Sequence, residues 1–309
     1  MVLRPFRFGV VVWQRLTRAA WVERVRQFED LGYSTLLMPD HFSEQLAPGP
    51  ALAVAAEVTS QLRIASHVYA NDFRHPALLA KEAATLDLLS DGRFEFGIGA
   101  GWLKSEYEQV NIPFDAPGVR VDRLFEAVDV IRGVWAEGAF SYDGEHYTIR
   151  DYEGRPKPVQ QPHPPLFLGG GGRRLLSYAA REANIVGIAP TALPGGGLDA
   201  RDVTAAAVER KLAWIREAAG ERMDDLELST LVYDISVTDQ RRGRIEEMLG
   251  EWELTEAEIA NSPYVFVGSV DQICDTLRER RERFGISYIT LFEPNVEAFA
   301  PVVARLVGT

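Results

Sequence analysis

Cysteine is all but missing. Cys274 is the only one in 309 residues, which excludes a disulfide framework and a thiolate metal cluster. The five histidines lack the spacing of a metal pair, and no HExxH motif or carboxylate cluster accompanies them, so no metal site is expected. A GxSxG motif is absent, which argues against a serine hydrolase. Basic tracts are short, and Lys+Arg 33 against Asp+Glu 45 leaves a net charge of -12, so a nucleic-acid partner is not expected. Apolar runs such as Ala51 to Val58 fall far short of the roughly 20 residues that a membrane span needs. Met1 to Phe8 leads directly into a strand-like run with no small-residue cleavage site, so no signal peptide is read there. The expectation is a cytoplasmic protein, off the membrane, whose partner is a small molecule.

What remains is ordinary globular material: 46% hydrophobic and 25% charged residues, with Gly 26 and Pro 17, which rules out disorder and collagen-like repeats. The length fits either two domains or one barrel of about 250 residues or more. β-Branched and aromatic runs alternate with helical patterns, the mark of successive βα units. Strands are read at Phe6 to Trp13, Tyr33 to Met38, Leu62 to Tyr69, Arg93 to Ile98, Pro165 to Leu168, Ile185 to Ala189, Leu226 to Val237 and Ile286 to Phe292. The first helix runs from Thr17, as N-cap, to Leu31, with Gly32 as its left-handed stop. Another begins near Gly49, one opens at His75-Pro76 and closes before Asp91-Gly92, and a long one covers Gly118 to Trp135. Later helices reach Ala183, span Asp202 to Ala219, and, after broken helical pieces, end with Asp271 to Phe284.

Residues 138 to 165 interrupt the rhythm with a hairpin signal at Asp143-Gly144 and a proline-rich run, read as a surface insertion after the fourth strand. Eight parallel strands, each with a helix, close into a (β/α)8 TIM barrel, here a single α/β domain over 1–309; an open doubly wound sheet is the alternative that periodicity alone leaves standing.

In a barrel, function belongs just past the C-terminal ends of the strands. The residues to weigh there are Trp13, Asp40-His41, His67 to Asn71, Gly99 to Trp102, Gly169 to Arg173 and the loop from Pro190, with its glycine-rich stretch at 194–197. The run Gly169-Gly170-Gly171-Gly172 before Arg173 lets backbone N–H groups approach an anion at a helix start, or is simply a tight βα turn. Asp40-His41 places an imidazole beside a carboxylate where a proton could be exchanged near pH 7, or is a solvated loop pair. His67 lies inside an apolar strand, as a core histidine or at a bulge that aims backbone groups into the mouth.

Several strings in order then resemble one family. Pro39-Asp40-His41, Phe73-Arg74-His75-Pro76, Ala83 to Asp87 with Ser90 to Arg93, Gly97 to Trp102 with Glu106, Arg120 to Trp135, Ala179-Ala180-Arg181 and Val267-Gly268-Ser269 together are similar to the luciferase-like monooxygenase superfamily, and most of all to its branch that uses the deazaflavin coenzyme F-420. The resemblance implies a barrel, often dimeric, that holds a flavin or deazaflavin at its mouth. It also implies a non-proline cis bond at His67-Val68 behind the ring and phosphate contacts at Gly171, Gly172 and Arg173. Asp40 and His41 would lie against ring and substrate as the catalytic pair, and His67, Val68, Asn71, Gly101, Gly170, Gly171, Gly172 and Arg173 would hold the cofactor. Where some relatives carry an acid after the glycine run this chain has Trp102, which leaves proton delivery to His41 or water.

The implied activity is hydride transfer between F-420 and an alcohol, enone or imine. FMN-dependent monooxygenation with a reductase partner and non-catalytic cofactor binding are the alternatives. The 138–165 insertion and the loop from Pro190 to Leu198 would line the substrate pocket, with Trp13, Phe42, Tyr69 and Trp102 as aromatic wall or as barrel packing.

Overall fold

The computed structural model describes residues 3–193, 197–252 and 254–309; the 194–196 part of the glycine-rich loop lies outside the described residues. Eight barrel strands are present: β1 (Arg7–Val11), β2 (Thr35–Met38), β3 (Arg63–Ser66), β4 (Phe94–Gly99), β5 (Leu166–Gly170), β6 (Ile185–Ile188), β7 (Glu227–Val232) and β8 (Ile286–Phe292). Each pairs in parallel with its neighbours in chain order, and β8 returns to β1, so the ring closes and the open-sheet alternative falls. Outside them run α1 (Arg18–Asp30), α2 (Pro48–Val58), α3 (Pro76–Leu89), α4 (Pro117–Trp135), α5 (Arg173–Glu182), α6 (Ala205–Ala219), α7 (Val270–Phe284) and α8 (Val296–Leu306).

The helix ends follow local chemistry. The Thr17 hydroxyl accepts from the Ala20 amide, and Gly32 takes φ +82° past the end of α1. His75 caps α3 by accepting from the Ala77 amide, with Pro76 at the first helical position, so this histidine belongs to the helix start.

Alternate residues of each strand point inward, and they stack in layers. At the floor, Arg7 donates to Glu227 (2.7 Å), to Thr35 (3.0 Å) and to Glu95, which also takes Arg63 Nε (2.6 Å) and the Tyr288 hydroxyl (3.3 Å). Above this ionic floor Val11, Leu37, Ala65, Phe167 and Ile185 form an apolar plug. The larger core lies between the strands and the helices.

Two expectations are corrected, and the bulge read at His67 is present. The seventh strand is not one element: it breaks at Tyr233, whose amide donates to Tyr264 O (2.9 Å), and Asp234–Val237 leaves the barrel to pair with Val265–Gly268, a strand the apolar pattern hid in a run leading to a helix. The third strand stops at Ser66 and resumes as Tyr69–Ala70. Ile64 pairs with Phe94 but Tyr69 with Ile98, so one extra residue is accommodated around His67 and Val68. The insertion is a hairpin, Phe140–Asp143 with Thr148–Tyr152, but only its tip reaches the mouth. Its proline-rich half descends to the floor, where Asp87 accepts from Val159 (2.8 Å) and Gln160 (3.0 Å) and Gln160 donates to Phe94 O (2.7 Å) at the start of β4. Prolines suit that covering role because they have no N–H to satisfy.

Candidate active site

Because all strands run the same way, the segments after β2, β3, β4 and β5 meet at one rim. Asp40, His41, His67, Val68, Gly101 and Trp102 border a single open cleft. His41 Nδ1 lies 2.9 Å from Glu106 Oε2, while Glu106 Oε1 accepts from the Phe42 amide (2.9 Å). The buried Glu106 comes from the short helix Lys104–Gln109, which follows the β4 glycine run. A carboxylate facing Nδ1 favours the tautomer with its proton there and leaves Nε2 for other partners. Trp102 packs edge-on to the imidazole (5.9 Å), and four residues on the Glu106 carboxylate is aimed at His41. Glu106 was legible only as part of a family string; its pairing across 65 residues has no local signal.

Asp40 is committed elsewhere. Arg74 grips both its oxygens, one at 3.0 Å, and the Ala70 amide donates to it at 3.1 Å. Thus Asp40 ties the loop after β2 to the bulge after β3 and stays an acceptor. The His67–Val68 bond is cis. The His67 ring stands edge-on to Phe167 (5.1 Å), and burial pushes its pKa down to about 4, so a neutral imidazole faces the mouth. Asn71 donates to the Tyr147 hydroxyl of the insertion tip (3.1 Å), while its buried Oδ1 has no partner. Gly101 takes φ +72° over the Tyr107 hydroxyl, and Arg120 donates to the Ala100 carbonyl (3.2 Å) and to that of Gly101.

The glycine run ends β5 and opens α5. Gly169 and Gly170 belong to the strand, Gly172 is the N-cap, and the first intrahelical donor is the Leu176 amide, so the three N–H groups before it lack helical partners. The Arg173 guanidinium turns outward to Glu217 (3.0 Å), an exposed pair worth little. A Cβ on Gly171 would stand 2.8 Å from the Thr191 backbone, whereas nothing lies within 4 Å of one on Gly172. Thr191 cannot yield readily: its amide (2.8 Å) and hydroxyl (2.7 Å) bond Asp202, which is held by the buried Lys211 ammonium (2.6 Å). If this turn seats the charged tail of a cofactor, Gly171→Ala is expected to weaken that cofactor's binding at least about tenfold, roughly 1.4 kcal/mol, with Gly172→Ala close to wild type in the same fluorescence titration. Equal effects would show that the turn is not shaped by Thr191.

Of the aromatic wall, Trp13, Phe42 and Trp102 are indeed 48%, 48% and 43% exposed at the rim. Tyr69 is not: it is fully buried, with its hydroxyl on Glu82 (3.0 Å), and serves packing. Among the described residues no group of three or more His, Cys, Asp or Glu is placed to hold a metal ion, and no helix is long and apolar enough to cross a membrane.

A closed ring of eight βα units with a histidine-bearing cleft at its C-terminal rim defines the (β/α)8-barrel class. Residues 6–288 match the model of the luciferase-like monooxygenase family, and the chain belongs to that family, whose members are oxidoreductases and monooxygenases. It is 36% identical over 109 residues to the FMNH(2)-dependent dimethylsulfone monooxygenase of Pseudomonas putida, covering 35% of this chain and 30% of that one. It is 31% identical over 147 residues to the oxygenase component of the flavin-dependent trigonelline monooxygenase of Acinetobacter baylyi, covering 47% and 40%. The chain thus matches well under half the length of either relative. The fold of the coenzyme F-420 dependent tetrahydromethanopterin reductase from Methanopyrus kandleri superposes with a TM-score of 0.78 at 19% identity, over 98% of both chains.

Proposed function

We propose that this protein is an oxidoreductase that binds coenzyme F-420 at the barrel rim and exchanges a hydride with a small organic substrate, an alcohol, enone or imine. The observation that carries the reading is the His41–Glu106 pair opening on the same cleft as the His67–Val68 bulge. The residues fit a flavin-like group: a neutral His67 and an uncharged bulge suit the back of a flat ring, the orphaned Asn71 Oδ1 offers an acceptor, and the unpaired amides after Gly171 suit a charged tail. A bound deazaflavin supplies two-electron hydride chemistry. The chain's part is to hold ring and substrate in contact, exclude water and move the proton, with His41 Nε2 as the exchanging atom and Glu106 as its orienting partner.

Titration of the purified protein with F-420 and with FMN tests this. F-420 is expected to bind at least about tenfold more tightly; preference for FMN, with oxygen uptake once a reductase supplies reduced FMN, would replace the reading with two-component monooxygenation. That second reading is favoured by the dimethylsulfone and trigonelline relatives. Binding without turnover of any alcohol, enone or imine would make the protein a cofactor carrier. The proposal includes a homodimer, since α2 and α3 present Val54, Leu78, Leu88 and Leu89 to solvent side by side; light scattering of the same sample reads twice the chain mass if so.

A further inference from the structure

Around the ring, β7, β8 and β1 stand across the barrel from β3, β4 and β5, the arc that carries His67, Val68, Gly101 and the glycine turn. None of the candidate cofactor residues lies on β7, β8 or β1. Phe292 points inward in step with Tyr288 and packs on the apolar plug, while Trp13, just past β1 at the rim, and Tyr233, where β7 breaks, flank it. The three form a continuous aromatic surface at the rim: Trp13 stacks on Phe292 (4.7 Å, 27°), and Tyr233 leans on Phe292 at 6.1 Å. The Tyr233 hydroxyl makes no hydrogen bond to any described residue, although the ring is largely buried and burial pushes its pKa up to about 12. Asp40 is taken by Arg74 and Glu106 by His41, and the exposed edge of Trp13 shares an open outer groove with Arg15 and Glu44.

We infer that this arc is the substrate wall, and that the Tyr233 hydroxyl donates a hydrogen bond to a carbonyl oxygen of a neutral, flat substrate stacked on Phe292 and Trp13. The inference rests on the proposed function and narrows its substrate class. The Phe292–Tyr233 part of the wall is uncharged, so it selects against anions, which would lose hydration there without gaining a counter-charge, and against analogues that lack the oxygen. The donor is a binding and specificity group, separate from the proton-exchanging His41.

The test uses Tyr233→Phe beside wild type and begins with F-420 and FMN affinity and melting temperature. Both are expected to be unchanged in the variant, because the hydroxyl has no protein partner. The cofactor-loaded proteins are then titrated by ligand-observed NMR with acetophenone, benzoate and ethylbenzene. Wild type is expected to favour acetophenone over benzoate at least about tenfold; Tyr233→Phe loses about 3- to 10-fold for acetophenone and nothing for ethylbenzene. Weakened cofactor binding in Tyr233→Phe would place the hydroxyl on the cofactor and overturn the assignment, as would equal acetophenone affinity in both proteins or a preference for benzoate. If wild type binds neither cofactor, the proposed function fails, and the same three probes on the free protein decide the wall by the same criteria.

Discussion

Glu95→Gln is expected to lower the free energy of unfolding by about 3–5 kcal/mol, the usual cost of removing one partner from a buried ion cluster. Glu95 is buried at the barrel floor and receives Arg7, Arg63 and the Tyr288 hydroxyl, and Arg7 reaches the neighbouring Glu227 as well. Glutamine keeps the volume but leaves two guanidinium groups with one carboxylate between them. Burial alone would raise the Glu95 pKa, yet Arg7 and Arg63 outweigh it and hold the group below the ordinary glutamate range. A depressed folded-state value means that this stability is present above the unfolded pKa, near 4.3, and is lost as pH falls through the lower folded value. Glu227 is pushed up by burial and by Glu95, so its own contribution declines as pH rises through its folded pKa. Urea titrations at pH 7 and at pH 3 check both points: the difference between wild type and Glu95→Gln should be large at pH 7 and smaller at pH 3. A difference that does not change with pH would mean that packing, not charge, sets the cost.

That floor shows what was and was not legible beforehand. The helix starts at Thr17 and at His75-Pro76, the stop at Gly32 and the hairpin at Asp143-Gly144 are local signals, read from a few neighbouring residues, and all four stand in the structure. Arg7, Arg63, Glu95 and Glu227 are single charges at strand starts, and Arg7 meets Glu227 across 220 residues. Only ring closure brings them together, so no window of sequence contains the network. The break at Tyr233 was hidden for a related reason: Leu226 to Val237 is a continuous β-favouring run, and what splits it is pairing with Val265–Gly268. At the rim, motif order named His41, while its partner Glu106 and the Arg74 clamp on Asp40 emerged from tertiary geometry. Motifs mark which residues matter. Their pairing belongs to the fold.

His41→Ala is expected to slow the chemical step by about 10²–10⁴, the range typical of a positioned acid–base group, while cofactor affinity stays within about threefold. The split follows from where the ring stands: it packs on Trp102 and faces the cleft, while the glycine turn proposed to seat the cofactor's tail lies after β5 and makes no bond to it. Glu106→Gln should cost less, about tenfold or more, since it keeps the size and can still hold the ring but no longer favours a proton on Nδ1. If Glu106 acts through His41, the two losses cannot add. The double variant then reacts no more slowly than His41→Ala alone, as groups working as one unit do. Stopped-flow reoxidation of the bound reduced cofactor, with whichever acceptor the enzyme turns over, measures all three variants. Additive losses would give Glu106 a role of its own, such as fixing the Phe42 amide that its other oxygen holds. An unchanged chemical step in His41→Ala would remove this imidazole from catalysis and leave proton transfer to water.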